Sequence, residues 1–200
     1  MMGVVSLAIG VPMSSTAQSL DRITEQEYLD GEKLNDIKRE YTDGYVYVMA
    51  GVSKRHNTIS LNIMMSLRDA SRKTPCAVYC SDVKVRVAET KSYYYPDVVV
   101  GCDVDDTDDY YLEKPCLVVE VLSESTQKRD RPEKLLSYMN VPTLKAYLLV
   151  EQDKPEVELF YRKKAGDWWV ESFEGLDAVL KLACPEMELT LAEIYEGISL

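Results

Sequence analysis

One histidine, five scattered cysteines and a shortage of positive charge narrow what this 200-residue chain can do before any motif is considered. A lone His without a Cys-x-x-Cys pair makes no conventional ligand set, so zinc chemistry is set aside. Cys76, Cys80, Cys102, Cys116 and Cys184 form an odd set, three of them in apolar, strand-like surroundings where cysteine acts as a small hydrophobe. They are expected to be reduced thiols in a cytoplasmic protein. No Gly-rich loop follows a strand, which excludes the common phosphate-cradling turns. Ser123 and Ser125 have no positioned histidine base, which removes support for a serine hydrolase. No apolar run approaches the roughly 20 residues of a membrane span, and Met1 to Ala17 lacks the basic start of a secretory leader, so no membrane partner is expected. The 23 Lys and Arg face 34 Asp and Glu, a net charge of -11. Tight binding of nucleic acid through a generally basic surface is thereby excluded, because phosphate affinity rests on Lys and Arg contacts and counterion release.

What is present suits one domain with a sizeable core. Residues 1–22 read as a flexible N-terminal arm and 23–200 as a single folded domain. Thr24 and Glu27 form a capping box, with Ile23 and Tyr28 as a hydrophobic staple, which predicts a short opening helix. Asp43-Gly44 between Arg39-Glu40-Tyr41 and Tyr45-Val46-Tyr47-Val48 predicts a β-hairpin. From Lys54 to Ser71 the apolar Ile59, Ile63, Met64, Leu67 and Ala70 recur at three and four, the period of an amphipathic helix. Strands are expected over Ala77–Ala88, Tyr93–Cys102 and Cys116–Ser123, a second helix over Arg131–Met139, and a strand over Leu144–Val150. An antiparallel meander, Glu156–Tyr161 and Trp168–Phe173, and a short helix within Leu189–Glu196 close the chain. The fold class is α/β of the α+β kind: a mixed central sheet flanked by helices, with an N-terminal hairpin and a C-terminal meander.

Two of the expected strands carry one acid each in an otherwise apolar run: Asp97 in Tyr95-Pro96-Asp97-Val98-Val99-Val100, and Glu120 in Leu117-Val118-Val119-Glu120-Val121-Leu122. A lone carboxylate in a buried strand is costly without a partner or a metal. If the strands are neighbours, Asp97 and Glu120 can face one cleft and share a divalent cation, while the simpler alternative is a pair of structural acids bonded to backbone amides or to Lys and Arg.

The ordered set Glu40-Tyr41-x-Asp43-Gly44, Met49-x-Gly51, His56, Tyr95-Pro96-Asp97, Glu120-Val121-Leu122-Ser123, Thr126, Asp130, Lys134, Tyr138 and Tyr147 resembles the Uma family of restriction endonuclease-like proteins, which have the PD-(D/E)XK nuclease fold. The resemblance runs from about Ile23 to the C-terminus. It implies a restriction endonuclease-like core, phosphodiester hydrolysis with Mg2+ or Mn2+, and Asp97 and Glu120 as metal ligands completed by the carbonyl of Val121. The general pattern places a lysine two residues after the Glu, where this chain has Leu122. Within the family that lysine corresponds to Lys134 on the following helix, with Lys84 as the competing candidate. Glu40 resembles an additional acid of such sites, and His56 would contact phosphate or assist proton transfer.

Lys128, Arg129 and Arg131 make the densest basic patch and are the expected contacts to nucleic acid, with DNA favoured over RNA as substrate. Asp103 to Asp109 lacks the spacing of a calcium loop and reads as a solvated acidic tip. A homodimer fits the antiparallel edges. The expected activity is a metal-dependent endonuclease. The alternative is an inactive nuclease-fold scaffold that binds a protein or nucleic-acid partner, motivated by Leu122 and the net charge of -11.

Overall fold

The computed structural model describes residues 22–122, 130–164 and 167–200. The arm expected at the N-terminus therefore lies, save for Arg22, outside the described residues, as does the tip of the meander at Ala165-Gly166. In chain order the elements are α1 (Glu25–Glu32), β1 (Arg39–Thr42), β2 (Tyr45–Val48), α2 (Lys54–Ala70), β3 (Ala77–Cys80), β4 (Lys84–Val87), β5 (Ser92–Tyr94), β6 (Val98–Gly101), β7 (Tyr111–Leu112), β8 (Pro115–Leu122), α3 (Asp130–Met139), β9 (Ala146–Glu151), β10 (Glu156–Lys164), β11 (Asp167–Glu174), β12 (Val179–Ala183), β13 (Glu186–Thr190) and α4 (Leu191–Ile194). None of the described helices is long and apolar enough to cross a membrane.

Local chemistry sets the first elements. Thr24 accepts from the Glu27 N–H while the Glu27 carboxylate accepts from the Thr24 N–H, the reciprocal bonds of a capping box. Ile23 and Tyr28 share a small aromatic cluster with Tyr41 and Tyr93, as a staple would place them. Asp43 and Gly44 turn the hairpin with φ of 42° and 97°, the two positive values that match the twist of paired strands. A side chain at position 44 would also meet Arg22 at 2.9 Å.

The strands form a main sheet of order β11-β10-β9-β8-β6-β3 and a second of order β2-β1-β5-β4-β7. In the main sheet β8 and β9 run parallel, as a crossover through α3 requires, and the other pairs are antiparallel. Two of the expected long strands are each divided between the sheets. Ala77–Ala88 splits into β3 and β4 around a turn at Ser81-Asp82, and Tyr93–Cys102 splits into β5 and β6 at Tyr95-Pro96-Asp97. The second break has a clear cause. Pro96 has no N–H, and the Tyr95 N–H goes to the Glu40 carboxylate at 3.1 Å instead of to a strand, so the ladder ends there.

Alternation along β8 distributes the core. Leu117, Val119 and Val121 pack on one face with Ile59, Ile63 and Leu67 of α2 and with Leu180, Leu182, Leu189 and Ile194. Val118 and Leu122 pack on the other face with Tyr138 of α3 and Val85 and Tyr94 of the second sheet. Glu120 shares that second face, at the seam between the sheets. The hairpin β12–β13 was not expected from the sequence, although β12 alternates buried and exposed positions along its length.

The expectation of separate reduced thiols is corrected for four cysteines: Cys76 is disulfide-bonded to Cys102 and Cys116 to Cys184, and Cys80 alone is free and exposed. Tertiary structure closes what sequence separations of 26 and 68 keep apart. The acidic segment after β6 is exposed in the main, as expected of a solvated tip, but Asp106 accepts from the backbone of Glu113 and Lys114 and so folds the segment back on itself.

The packing of α2 predicts an asymmetric response to truncation. Ile63→Ala, which removes a fully buried side chain, is expected to cost about 2–5 kcal/mol in urea unfolding. Leu61→Ala, on the exposed side of the same helix, should stay within about 0.5 kcal/mol of the parent.

Candidate active site

Each side chain of the site arrives by a local rule. His56 heads the buried stripe of α2, in line with Ile59, Ile63 and Leu67, so the face that docks on the sheet also aims the imidazole beneath it. Ser53 caps this helix by accepting from the His56 N–H at 3.0 Å, which fixes where the first turn begins. Asp97 lies in the break between β5 and β6, and its two oxygens are both engaged. Oδ1 is 2.8 Å from His56 Nε2, and Oδ2 accepts from the Val121 N–H at 2.7 Å. A carboxylate only accepts, so Nε2 carries the imidazole proton, and the buried Nδ1 has no hydrogen-bond partner among the described residues.

Glu120 stands one residue before Val121 on β8, so the backbone bond to Asp97 ties the two acids together. Lys134 of α3 donates to Glu40 Oε1 at 2.7 Å and to Glu120 Oε1 at 3.4 Å, with its ammonium 5.5 Å from the centre of the Tyr94 ring. These three side chains are only 11–14% exposed. Glu40, on β1, also accepts from the Tyr95 N–H, so the second sheet contributes an acid and the peptide that orients it. The residues surround a cleft of about 260 Å3, walled further by Tyr47, Tyr94, Tyr95 and Tyr147 and by the Val48–Val52 segment.

The electrostatics are those of crowded negative charge. Burial pushes the Glu120 carboxyl up from its ordinary 4.5 to about 8, and Asp97 and Glu40 add to the rise while Lys134 opposes it. Lys134 thus bridges two acids and offsets part of their repulsion.

Of the residues singled out from the sequence, the structure brings Glu40, His56, Asp97, Glu120 and Lys134 around one cleft. Lys84 is elsewhere. It is buried on β4 and donates to the Tyr95 hydroxyl at 3.2 Å, and burial lowers its pKa. Tyr95 in turn donates to Glu32, which holds Arg39 at 2.8 Å, a second polar network behind the cleft wall. Leu122, at the position of the usual lysine, is buried in the core with Tyr138 and Leu149. Lys128 and Arg129 and the Arg131 side chain fall outside the described residues. Sequence reasoning missed Tyr94 and Tyr95 as parts of the site. The run of three tyrosines before Pro96-Asp97 was the available signal, but nothing local shows that one ring lies under a lysine and one peptide faces an acid.

Comparison with known proteins gives a consistent result. Residues 25–192 match the family Uma2, described as "Putative restriction endonuclease". An uncharacterized protein of Synechocystis sp., slr1290, is 34% identical over 186 residues, 92% of this chain and 97% of its own. A second uncharacterized protein of that organism, sll1609, is 29% identical over 164 residues, 80% of this chain and 93% of its own. The crystal structure of a chain from Anabaena variabilis, described as a putative nuclease belonging to DUF820, superimposes with a TM-score of 0.70 at 15% identity, covering 86% of this chain and 97% of that one. The likeness establishes a nuclease-like fold of mixed α and β elements.

The raised Glu120 carboxyl makes a prediction for the metal-free protein. The fold retains a proton that the unfolded chain releases above about pH 4.5, so this group's contribution to stability falls as pH rises toward about 8. In EDTA, Glu120→Gln should therefore gain on the parent in urea midpoint between pH 5 and pH 8. A parallel pH dependence of the two proteins would contradict the assignment.

Proposed function

Because this chain belongs to the Uma2 family, described as putative restriction endonucleases, we propose that it is a metal-dependent endonuclease that hydrolyses phosphodiester bonds in DNA. The observation that carries this reading is the position of Lys134. It reaches from α3 to Glu120 and Glu40 in the same cleft that Leu122, the residue at the usual lysine position, lines with an apolar side chain. The ammonium has moved to another element while its place beside the acids is kept.

The donor set fits a hard divalent cation. Glu40, Asp97 and Glu120 offer carboxylate oxygens in one cleft, and the upward shift of Glu120, caused first by burial and then by Asp97 and Glu40, marks a carboxylate whose charged form Mg2+ or Mn2+ would stabilise. Asp97 and Glu120, with Glu40 beside them, would hold such an ion, which would supply a more acidic water and offset charge on the phosphoryl oxygens. The chain's own residues do the rest. His56 and the Val121 N–H hold both oxygens of Asp97, which presents the carboxylate in one orientation. Lys134 keeps an ammonium at the acids, where it can steady the attacking water or a phosphate oxygen. Tyr47, Tyr94, Tyr95, Tyr147 and Val48 wall the cleft around the acids. Lys128, Arg129 and Arg131, close before Lys134 in the chain, are the phosphate contacts in this reading. They give an acidic protein one local track for a nucleic-acid backbone.

The test begins with Mn2+ titration calorimetry and cleavage of plasmid DNA. Asp97→Asn is expected to lose the Mn2+ site, and Lys134→Ala to lose cleavage by at least ~10²-fold while remaining folded. His56→Ala, which frees one oxygen of Asp97, should weaken Mn2+ binding by about 10–100-fold. A parent chain that binds no Mn2+ and cuts no nucleic acid would overturn the proposal and leave the nuclease-fold scaffold.

A further inference from the structure

On the face of the main sheet opposite the carboxylate cleft, four sulfur atoms meet. Cys76 and Cys102 flank the paired residues Ala77 and Gly101 of β3 and β6, so they face each other across the edge of the sheet. Cys116 arrives by an irregularity. Val100 pairs with Leu117 but Gly101 pairs with Pro115, which leaves Cys116 as the extra residue of a bulge. A bulge re-aims a side chain, and here Cys116 joins Leu117 in the core beneath α2 rather than alternating away from it. Cys184, between β12 and β13, reaches the same point from the far end of the chain.

Two disulfides have no need to touch each other, but these do. Cys102 Sγ lies 3.4 Å from Cys116 Sγ and 3.3 Å from Cys184 Sγ, and the sulfurs of Cys76, Cys102 and Cys184 all fall within 4.8 Å of one another. A tetrahedral zinc with Zn–S bonds of about 2.3 Å holds its sulfurs about 3.8 Å apart. Two of the contacts between the pairs are already close to that spacing, so the bonded partners need to separate and Cys76 and Cys116 to draw together. Convergence of four cysteines on one point is what a thiolate metal site requires.

We propose that in the reduced chain Cys76, Cys102, Cys116 and Cys184 form a closed structural site for Zn2+. The form with two disulfides is its metal-free counterpart. Two molecules of a dithiol reductant convert the two disulfides to four thiols and leave as two oxidised dithiols, which accounts for four electrons and four protons. The four thiols then give up their protons as the ion binds. The site would clamp the β3–β6 edge, the start of β8 and the β12–β13 hairpin, and so stabilise the sheet from the side away from the cleft. It is independent of the nuclease proposal. Sequence spacing argued against zinc because no two of these cysteines form a close pair along the chain.

The full chain is reduced with a dithiol, freed of it under anaerobic conditions, and titrated with Co2+ and then Zn2+. One Co2+ per chain should bind with the thiolate-to-cobalt charge-transfer and intense visible bands of a tetrahedral sulfur site, and Zn2+ should bleach them. Zn2+ should also raise the melting temperature of the reduced chain and protect four thiols from alkylation, leaving exposed Cys80 to react. Cys102→Ser and Cys184→Ser should lose the bands, whereas Cys80→Ser and Asp97→Asn keep them. The proposal is overturned if the reduced parent gives no thiolate charge transfer, or if the bands survive in the Cys102→Ser/Cys184→Ser double variant. Should the variants fail to fold, the titration and alkylation of the parent decide the matter alone.

Discussion

The ladder of the second sheet stops where Tyr95 turns its N–H to the Glu40 carboxylate instead of a neighbouring strand, and the next residue, Pro96, has no N–H to continue it. The chain then passes to the main sheet, starting β6 at Val98. This single transfer places Asp97 between two sheets with its side chain free to meet α2 on one side and β8 on the other. It also draws Glu40, from the hairpin, toward an acid on the central strand. Were the strand to run straight through, the acids would lie along one surface with no seam to enclose them. The cleft depends on a proline that ends a hydrogen-bond pattern and a carboxylate that takes up the amide left over.

The carboxylate cleft works against the stability of the fold. Burial strips the Glu120 carboxylate of hydration, Asp97 and Glu40 repel it, and its raised pKa is the result. One lysine and one imidazole offset part of this: Lys134 spans two acids, and His56 holds the third. The core compensates elsewhere. Each side of β8 is packed by a separate cluster of fully buried aliphatic and aromatic residues, which lets the sheet carry one unfavourable position in its interior.

Much of this was legible from residues that act locally. The Thr24–Glu27 box, the Asp43-Gly44 turn and the stripe of Ile59, Ile63 and Leu67 are decided within a few residues, and the structure has them where the pattern puts them. The acids at 97 and 120 stood out because each interrupts an apolar run. What could not be read was which sheet a strand joins: β3 and β4, or β5 and β6, look continuous when only hydrophobicity is followed. Lys134 and Glu40 were marked by family resemblance, but their contact with Glu120 through a shared ammonium is a tertiary fact. The four-cysteine cluster was hidden for the same reason, since chain separation says little about distance once β12–β13 folds against the sheet.

The acid on β8 also bears on how the strand finds its partners. Side chains along a strand alternate between faces, so sliding β8 by one residue against β6 and β9 would carry Glu120 to the face occupied by Ile59, Ile63 and Leu67. That cluster is built of apolar side chains, and the carboxylate would lose Lys134 and the seam together. The remaining residues from Cys116 to Leu122 are apolar and would tolerate either face. Glu120 is thus the residue that makes a slipped pairing costly, and a group that weakens the finished fold helps to reject its nearest competitor.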